Sequence, residues 1–392
     1  MKFRRKLPSL VLLGLLAGAS PALSEPIKIG FVTTLSGPGA AIGRDMADGF
    51  KLGLKAAANA KVAPPETIYE DDQLKPDVGR QVVNKLLERD RVDLITGMIW
   101  SNVLLATAKP ILDSGTILIS ANAGPSQLAG KQCHPNYFSL SFQNDTPHEA
   151  MGRYAEIKGI KRVYLMAPNY PAGKDALAGF KRFYKGRPVG EVYTALDQLD
   201  FSAELAQLRA AKPEAVYFFF AGAQGINFLK QFEQAGLSKE VALLGPIFSL
   251  DSIVLSAVGS AALNAKVSTF WTDRLENPAN KKFAADFEAE YGRVPSSYAA
   301  TSYDAAALIM SALNSTGGNF KDRQAFRAAL LKADFPTVRG KFRFNANQSP
   351  IQDFYVSTVI KNDKGRSSYG PAERILENHQ DAYVAQCNMP AR

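Results

Sequence analysis

Residues with ligand-binding chemistry cluster in the segments that follow predicted strands. Several carry small neutral polar groups: Thr34, Ser36, Ser101, Asn102, Asn122, Asn169, Gln224 and Ser249. Others are large and apolar: Ile42, Trp100, Tyr170, Ile247 and Phe248. Hydroxyls and amides beside apolar walls are typical of a site that orients a small molecule reversibly. Any one of these could be an ordinary loop residue, but the mixture repeats after most strands, so the sequence predicts a small-molecule site.

The sequence lacks the usual motifs for catalysis and has only a partial motif for cofactor binding. The sequence contains no nucleophile elbow, HExxH motif or P-loop, and its three histidines are not close in sequence to the serines at strand ends. The turn Gly37-Pro38-Gly39 is only partly like a dinucleotide-binding turn, because Ile42 stands where a third small residue is needed and Pro38 lacks an N–H donor. We therefore expect no enzyme activity, cofactor or metal, with an exported hydrolase as the alternative.

The strands that must position these loops alternate with helices. Residues 27–32 predict a strand that leads into an amphipathic helix, in which Ile42, Met46, Phe50 and Leu54 are four residues apart. Further strands are predicted at residues 67–70, 92–96 and 117–120, and a second series at 162–167, 188–193, 215–220 and 241–244. This alternation predicts an α/β fold with two domains, each built on a parallel sheet. Ligands bind such sheets at the carboxyl ends of the strands, where the loops described above lie.

The last third of the chain continues with helices and then strands. The pattern predicts helices at residues 281–291, 300–314 and 323–331, followed by strands at 338–344 and 354–361. From Tyr369 onward the sequence predicts an irregular tail on the surface.

The N-terminus has the composition of an export signal. Four basic residues precede an apolar run at residues 10–17, which is short for a membrane span. Ala22-Leu23-Ser24 supplies small residues for a signal peptidase, so we predict a signal peptide over residues 1–24, cleaved before Glu25. A single transmembrane anchor is the alternative. With cleavage, the mature chain is expected to be soluble and periplasmic.

Charge and cysteine content limit the partners further. The formal charge of +9 falls to +5 without the four basic residues of the signal, and the remaining charges are interspersed, so nucleic acid binding is not expected. The chain has two cysteines, Cys133 and Cys387. In an oxidising compartment an even pair favours a disulfide, which would tie the C-terminal tail to the middle of the chain. Two buried free thiols are the alternative.

Several short motifs, in this order, resemble those of a known family. They are Ile29-Gly30, Leu35-Ser36-Gly37-Pro38, Glu70-Asp71-Asp72 with Pro76, residues 97–101, residues 228–237, Gly245-Pro246 and Thr301-Ser302-Tyr303-Asp304-Ala305. The chain resembles, over nearly its whole mature length, the leucine/isoleucine/valine-binding class of periplasmic solute-binding proteins, which deliver ligands to ABC importers. The resemblance implies a monomer that delivers its ligand to a membrane permease. A sensor subunit of the same fold is an alternative.

The resemblance also implies two Rossmann-like lobes joined by a hinge of three crossover strands. We expect the crossings near residues 142, 272 and 351. One lobe would then combine residues 25–142 with 273–350, and the other residues 143–272 with 351–392. Closure of such lobes on a ligand gives a shape that a permease can recognise.

The resemblance assigns roles to individual residues of the cleft. Ser101 corresponds to the serine that holds the ligand carboxylate, and the loop Asn122-Ala123-Gly124 corresponds to the segment that supplies backbone groups, although the usual hydroxyl residue is missing at Gly124. Ala172 and Ala221 stand where relatives have tyrosines. The acidic residue that pairs with an α-ammonium falls near Ile247 and is missing.

Loss of the acidic partner argues against a free amino acid as the ligand. A buried ammonium without a counter-charge would cost several kcal/mol. A pocket widened by two alanines and lined by Trp100, Tyr170 and Phe248 favours a flat aromatic carboxylate of the benzoate or hydroxybenzoate type. A branched-chain or other amino acid is the alternative ligand.

Overall fold

The computed structural model describes residues 26–58 and 62–389. The predicted signal peptide and its cleavage site before Glu25 lie outside the described residues. In the described part of the chain, no helix is long and apolar enough to cross a membrane.

The first lobe is built on a five-stranded sheet in which all strands are parallel. Its strands lie in the order β2-β1-β3-β4-β5 and have these bounds: β1 Lys28–Thr33, β2 Glu66–Asp71, β3 Leu94–Gly97, β4 Ile117–Ser120 and β5 Tyr137–Ser139. β1, β3 and β4 are buried almost completely, as expected for parallel strands covered by helices on both faces. The carboxyl ends of β1, β3 and β4 therefore meet at one edge of the sheet.

Helices connect and cover these strands. Those between the strands are α1 Ala40–Ala56, α2 Pro76–Asn84, which continues as a π-helical turn over Lys85–Asp90, α3 Ser101–Asp113 and α4 Ser126–Ala129. Three more helices come much later in the chain, and their numbers follow chain order: α10 Pro278–Tyr291, α11 Ser297–Ser315 and α12 Arg323–Lys332. α11 packs closely along α1, which places this late segment on the first lobe.

The second lobe contains a larger, mixed sheet. Its strands are β6 Arg162–Pro168, β7 Arg187–Thr194, β8 Ala215–Phe218, β9 Ala242–Pro246, β10 Lys266–Thr269, β11 Phe342–Phe344, β12 Pro350–Lys361, β13 Ser367–Tyr369 and β14 Glu373–His379. The main order is β11-β12-β10-β9-β8-β6-β7, in which β6 to β10 run parallel and β12 runs antiparallel to β10. Its helices are α5 Thr146–Ile157, α6 Pro171–Phe183, α7 Ser202–Ala211, α8 Gly222–Gln234 and α9 Ser252–Val258. The predicted α/β fold with two lobes is confirmed, and the antiparallel addition to the second sheet is a feature that the strand pattern did not predict.

The prediction of an irregular tail is wrong. β14 pairs with β12, with register shifts between Gln352 and Tyr355. Its sequence, ERILENH, is polar and mostly exposed or half-buried, so it lacks the apolar alternation that marks a strand. It forms because β12 offers an unpaired edge. The predicted disulfide between Cys133 and Cys387 is present and joins the residues after this strand to the first lobe, with 5.6 Å between the Cα atoms.

Two other strand predictions need correction at their ends. The strand predicted at 338–344 is reduced to β11, since Val338 N–H and the Arg339 side chain bind the Asp304 carboxylate. β12 begins at Pro350, four residues before the predicted start.

Candidate ligand-binding site between the lobes

A tight turn at the end of β3 positions the first group of site residues. Gly97 has φ +96°, and a Cβ atom there would lie 2.3 Å from the carbonyl oxygen of Val32 on the neighbouring strand. Only glycine permits this approach. The chain then turns into α3, with Trp100 as the N-cap residue and Ser101 as the first helical residue.

A hydrogen-bonded network joins the polar groups at this end of the site. Asn144 Nδ2 donates to Ser101 Oγ at 3.0 Å, and Asn144 Oδ1 accepts from Gly124 N–H at 2.9 Å. Asn122 Nδ2 donates to the Ile99 carbonyl at 2.8 Å. The hydroxyl and amide groups that this network orients are neutral, and Asn144 Nδ2 also donates to the carboxylate of Asp175, which does not line the cavity.

Aromatic side chains from both lobes form the walls. The ring centroids of Trp100 and Tyr170 are 6.5 Å apart, and Tyr170 and Phe219 follow at 6.3 Å. Phe248 is 6.3 Å from Phe219 and 4.7 Å from Phe142. The Trp100 indole is held by a 2.8 Å hydrogen bond from Nε1 to Thr34 Oγ1. This continuous set of rings suits the faces of a flat apolar ligand.

Three helix N-termini meet at the cavity. Trp100, Tyr170 and Ala221 are the N-cap residues of α3, α6 and α8, and all three line the cavity. None of these caps accepts a hydrogen bond from the helix through its side chain. The first N–H groups of a helix carry a partial positive charge, so this convergence favours an anion such as a carboxylate. α6 contributes one N–H fewer than the other two helices, because its first residue is Pro171.

The cavity lining is uncharged. It is formed by Ile99, Trp100, Ser101, Asn122, Ala123, Phe142, Asn144, His148, Tyr170, Ala172, Phe219, Ala221, Phe248 and Tyr298. Within the described part of the chain, no Asp, Glu, Lys or Arg contributes to this lining. Burial lowers the pKa of His148 to about 3, so its imidazole is neutral at pH 7. The cavity is narrow, with a volume of about 20 Å³.

An acidic group beside the cavity, Asp175, bonds to other protein groups and does not line the cavity. Asp175 on α6 accepts hydrogen bonds from Asn144 Nδ2 at 3.0 Å and from Ser126 Oγ at 2.8 Å. Burial raises the pKa of Asp175, and the hydrogen bonds from Asn144 and Ser126 oppose that rise. A ligand ammonium would therefore find no carboxylate facing it among the described residues.

A larger cleft of about 1070 Å³ lies elsewhere, between α1, α9 and the turn after β12. It is open and lined by many charged side chains, including Arg44, Asp48 and Lys364. None of the predicted site residues lines it. Most of its lining residues are exposed or half-buried and many are charged, whereas the smaller cavity has the buried, mostly apolar walls of a ligand site.

Eight of the eleven predicted ligand contacts lie around the enclosed cavity: Trp100, Ser101, Asn122, Ala123, Tyr170, Ala172, Ala221 and Phe248. Three do not line it. Ile42 is buried in α1, where it faces the position of Gly222. Gly124 gives its N–H to Asn144, and Ile247 is buried in the turn after β9. Contact of the eight with a ligand remains a prediction.

Six lining residues were missed from the sequence: Ile99, Phe142, Asn144, His148, Phe219 and Tyr298. Ile99 and Phe219 lie at or just after strand ends and could have been found by the same rule that identified Trp100. Asn144 and His148 lie at the start of α5, and Tyr298 lies at the start of α11. Those helices meet the cleft through packing between distant segments, for which the sequence carries no local signal.

Comparisons with known proteins agree with this architecture. A family model described as periplasmic binding protein matches residues 26–365. The Leu/Ile/Val-binding protein homolog 6 of Brucella melitensis is 26% identical over 360 residues, which cover 88% of this chain and 91% of that protein.

Solved structures are also similar over nearly the whole chain. A solute-binding protein of an ABC transporter from R. palustris, in complex with benzoate, has a TM-score of 0.87 and 27% identity, covering 93% of this chain and all of that one. A solute-binding protein from Rhodopseudomonas palustris BisB5, in complex with 3,4-dihydroxybenzoic acid, has a TM-score of 0.84 and 28% identity, covering 92% of this chain and 99% of that one. With its two lobes, its enclosed cleft and a family match over most of its length, the chain belongs to the periplasmic binding protein family.

Proposed function

We propose that the chain is the substrate-binding protein of an ABC importer and binds an aromatic carboxylate of the benzoate or hydroxybenzoate type. The observation that carries the proposal is the uncharged cavity, in which three helix N-termini meet aromatic walls. Helix N-termini and neutral hydroxyl or amide groups suit a carboxylate, whereas an ammonium would have no buried counter-charge. The two solved relatives named above, in complex with benzoate and 3,4-dihydroxybenzoate, support the same ligand class.

In this proposal the ligand is bound between the lobes and released unchanged. The lobes would comprise residues 25–142 with 273–350 and residues 143–272 with 351–392, and would close about crossings near residues 142, 272 and 351. The two sheets and the packing of α11 on α1 support this division. β11 joins the second sheet by pairing with β12, so the last crossing would be a hairpin rather than a single strand. The protein would act as a monomer in the periplasm and deliver its ligand to a membrane permease.

Isothermal titration of the mature protein, beginning at Glu25, tests the ligand class. Benzoate and the monohydroxybenzoates are the test ligands, and leucine and valine are the competitors, because Leu/Ile/Val-binding proteins are among the relatives. We expect micromolar or tighter binding of at least one aromatic acid, with leucine and valine at least 100-fold weaker. Binding of leucine or valine with all aromatic acids inactive would contradict the proposal.

A further inference from the structure

His148 stands apart from the other polar groups of the cavity. It is the third residue of α5 and is 2% exposed. Its ring contacts are with the second lobe: Tyr217 at 6.0 Å, Phe219 at 5.1 Å and Phe248 at 6.5 Å between ring centroids. The network around Ser101 makes no hydrogen bond to it in the described part of the chain. His148 is thus a polar side chain within the aromatic wall.

The hydrogen bond behind the imidazole determines where its proton lies. Nδ1 of His148 bonds to the hydroxyl of Tyr217, a fully buried residue of β8. Within the described residues, that hydroxyl has no other hydrogen-bond partner. If Nδ1 carried the proton, the Tyr217 O–H would be a buried donor without an acceptor, which is costly. The hydroxyl therefore donates to Nδ1, and the imidazole proton is on Nε2.

Nε2–H is then a donor that the protein leaves unused. Among the described residues no acceptor bonds to Nε2, while His148 lines the cavity. The hydrogen bond from Tyr217 to Nδ1 fixes the imidazole, so the neutral Nε2–H is suited to a neutral oxygen on the ligand. We expect the ligand carboxylate to lie instead at the N-terminus of α3 and Ser101.

We propose that His148 is a specificity-determining residue that donates a hydrogen bond from Nε2 to a hydroxyl group on the ligand ring. The inference rests on the proposed function and narrows it: the preferred ligand is a hydroxybenzoate rather than benzoate. A site built to pair with a ligand hydroxyl rejects an analogue without one, because a buried donor then stays unpaired. Tyr217 is a positioning residue in this arrangement, since it acts through the imidazole.

Titration of benzoate and of 2-, 3- and 4-hydroxybenzoate into the wild-type protein and the His148→Phe variant tests the inference. We expect at least one hydroxybenzoate to bind the wild type about 10-fold or more tightly than benzoate. In His148→Phe this ratio should fall to near 1, with benzoate affinity changed by less than about 3-fold. His148→Gln, which keeps an N–H donor, should restore part of the preference. His134→Phe, a histidine outside the cavity, should leave the ratio unchanged.

The Tyr217→Phe variant separately tests whether Tyr217 positions the His148 imidazole. Without the phenol, the imidazole proton can move to Nδ1, so the hydroxybenzoate preference should fall while benzoate binding stays. The selectivity ratio is the decisive quantity, because a merely structural defect would weaken both ligands alike.

Outcomes that contradict the inference are distinct from failure of the proposed function. Equal wild-type affinity for benzoate and all hydroxybenzoates would overturn the role of His148 and leave an aromatic-acid binder. An equal loss of both ligands in the folded His148→Phe and His148→Gln variants would do the same. No binding of any aromatic acid by the wild type would overturn both proposals.

Discussion

Single residues of the cleft show how neutral groups can hold an anion. Ser101, Asn122 and Asn144 present hydroxyl and amide groups, and the N-termini of α3, α6 and α8 add partial positive charge. Each helix terminus contributes about 0.3–1 kcal/mol toward a nearby anion, and up to about 2 kcal/mol when partly buried. Three such termini together favour an anion by about 1–3 kcal/mol without a fixed arginine or lysine. The described lining also contains no carboxylate that would favour an ammonium.

One buried carboxyl group outside the cavity makes stability depend on pH. Asp251 is the N-cap of α9 and accepts from Val254 N–H at 3.0 Å. Burial is the main cause that raises its pKa to about 8, and the nearby Asp45 carboxylate raises it further. The unfolded chain has an ordinary Asp pKa near 3.9. The folded state therefore binds this proton more tightly, and its contribution to stability is lost as pH rises through about 8.

We predict that lowering the pH from 9 to 7 raises the free energy of unfolding by about 1 kcal/mol through Asp251. Asp251→Asn keeps an oxygen to accept from Val254 but cannot titrate, so this part of the pH dependence should disappear. Chemical denaturation at pH 7, 8 and 9 measures it. Asp197→Asn, at an exposed site, is the control and should match the wild type at each pH. Identical pH profiles for Asp251→Asn and the wild type would show that Asp251 is not the group responsible.

At the scale of elements, close packing of α1 on α11 holds the first lobe together across more than 240 residues of sequence. A Cβ atom at Gly49 would lie 2.2 Å from the Ala299 carbonyl oxygen, and one at Gly53 would lie 2.7 Å from the Tyr303 carbonyl oxygen. The missing side chains let the two helices approach backbone to backbone. α11 in turn carries Tyr298 into the cavity lining, so this contact also sets one wall of the site.

We predict that Gly49→Ala destabilises the protein by about 1–3 kcal/mol, because the added methyl group forces the two helix backbones apart. This cost should exceed the gain of about 1 kcal/mol that Ala brings to a helix. Arg44→Ala, an exposed change in the same helix, should be close to neutral. Chemical denaturation compares the three proteins, and a Gly49→Ala variant as stable as the wild type would mean that α1 and α11 can separate at little cost.

At the scale of the whole molecule, a buried arginine connects the segments beside the predicted hinge. Arg339 Nε pairs with Asp304 of α11 at 2.8 Å, and both side chains are fully buried. Its Nη1 donates to the Leu140 and Ser141 carbonyls at 2.9 and 2.8 Å and to Gln352 Oε1 at 3.0 Å. The guanidinium thus joins α11 to segments beside two of the proposed crossings, near residues 142 and 351. Breaking such a buried pair is expected to cost about 3–5 kcal/mol.

A second set of contacts joins α4 of the first lobe to α6 of the second lobe. Ser126 of α4 donates to Asp175 of α6 through Oγ at 2.8 Å and through its backbone N–H at 3.1 Å. Because one partner belongs to each of the proposed lobes, we expect these bonds to form only when the lobes are together. They are therefore expected to favour the closed, ligand-bound state.

We predict that Ser126→Ala weakens binding of the preferred aromatic acid about 10-fold, since a hydrogen bond to a carboxylate contributes about 1.5 kcal/mol or more. Stability of the ligand-free protein should change little. Ser202→Ala, which removes a hydroxyl that bonds to Asp200 within the second lobe, is the matched control and should bind normally. Titration calorimetry measures both, and unchanged affinity in Ser126→Ala would show that this contact does not help to close the lobes.

The sequence by itself determined the alternation of strands and helices, the two-lobed α/β class, the cysteine pair and the loops that supply most of the cavity. These follow from local periodicity and from the rule that loops at strand ends form ligand sites, both of which act over short stretches of chain. Only the tertiary structure decided that β14 adds to the second sheet, because its polar sequence becomes a strand through pairing with β12. It also decided that Asn144, His148 and Tyr298 face the cleft and that Gly124 and Ile247 do not. The side of a helix or loop that reaches the cavity depends on packing between segments far apart in sequence, and that packing leaves no local pattern to read.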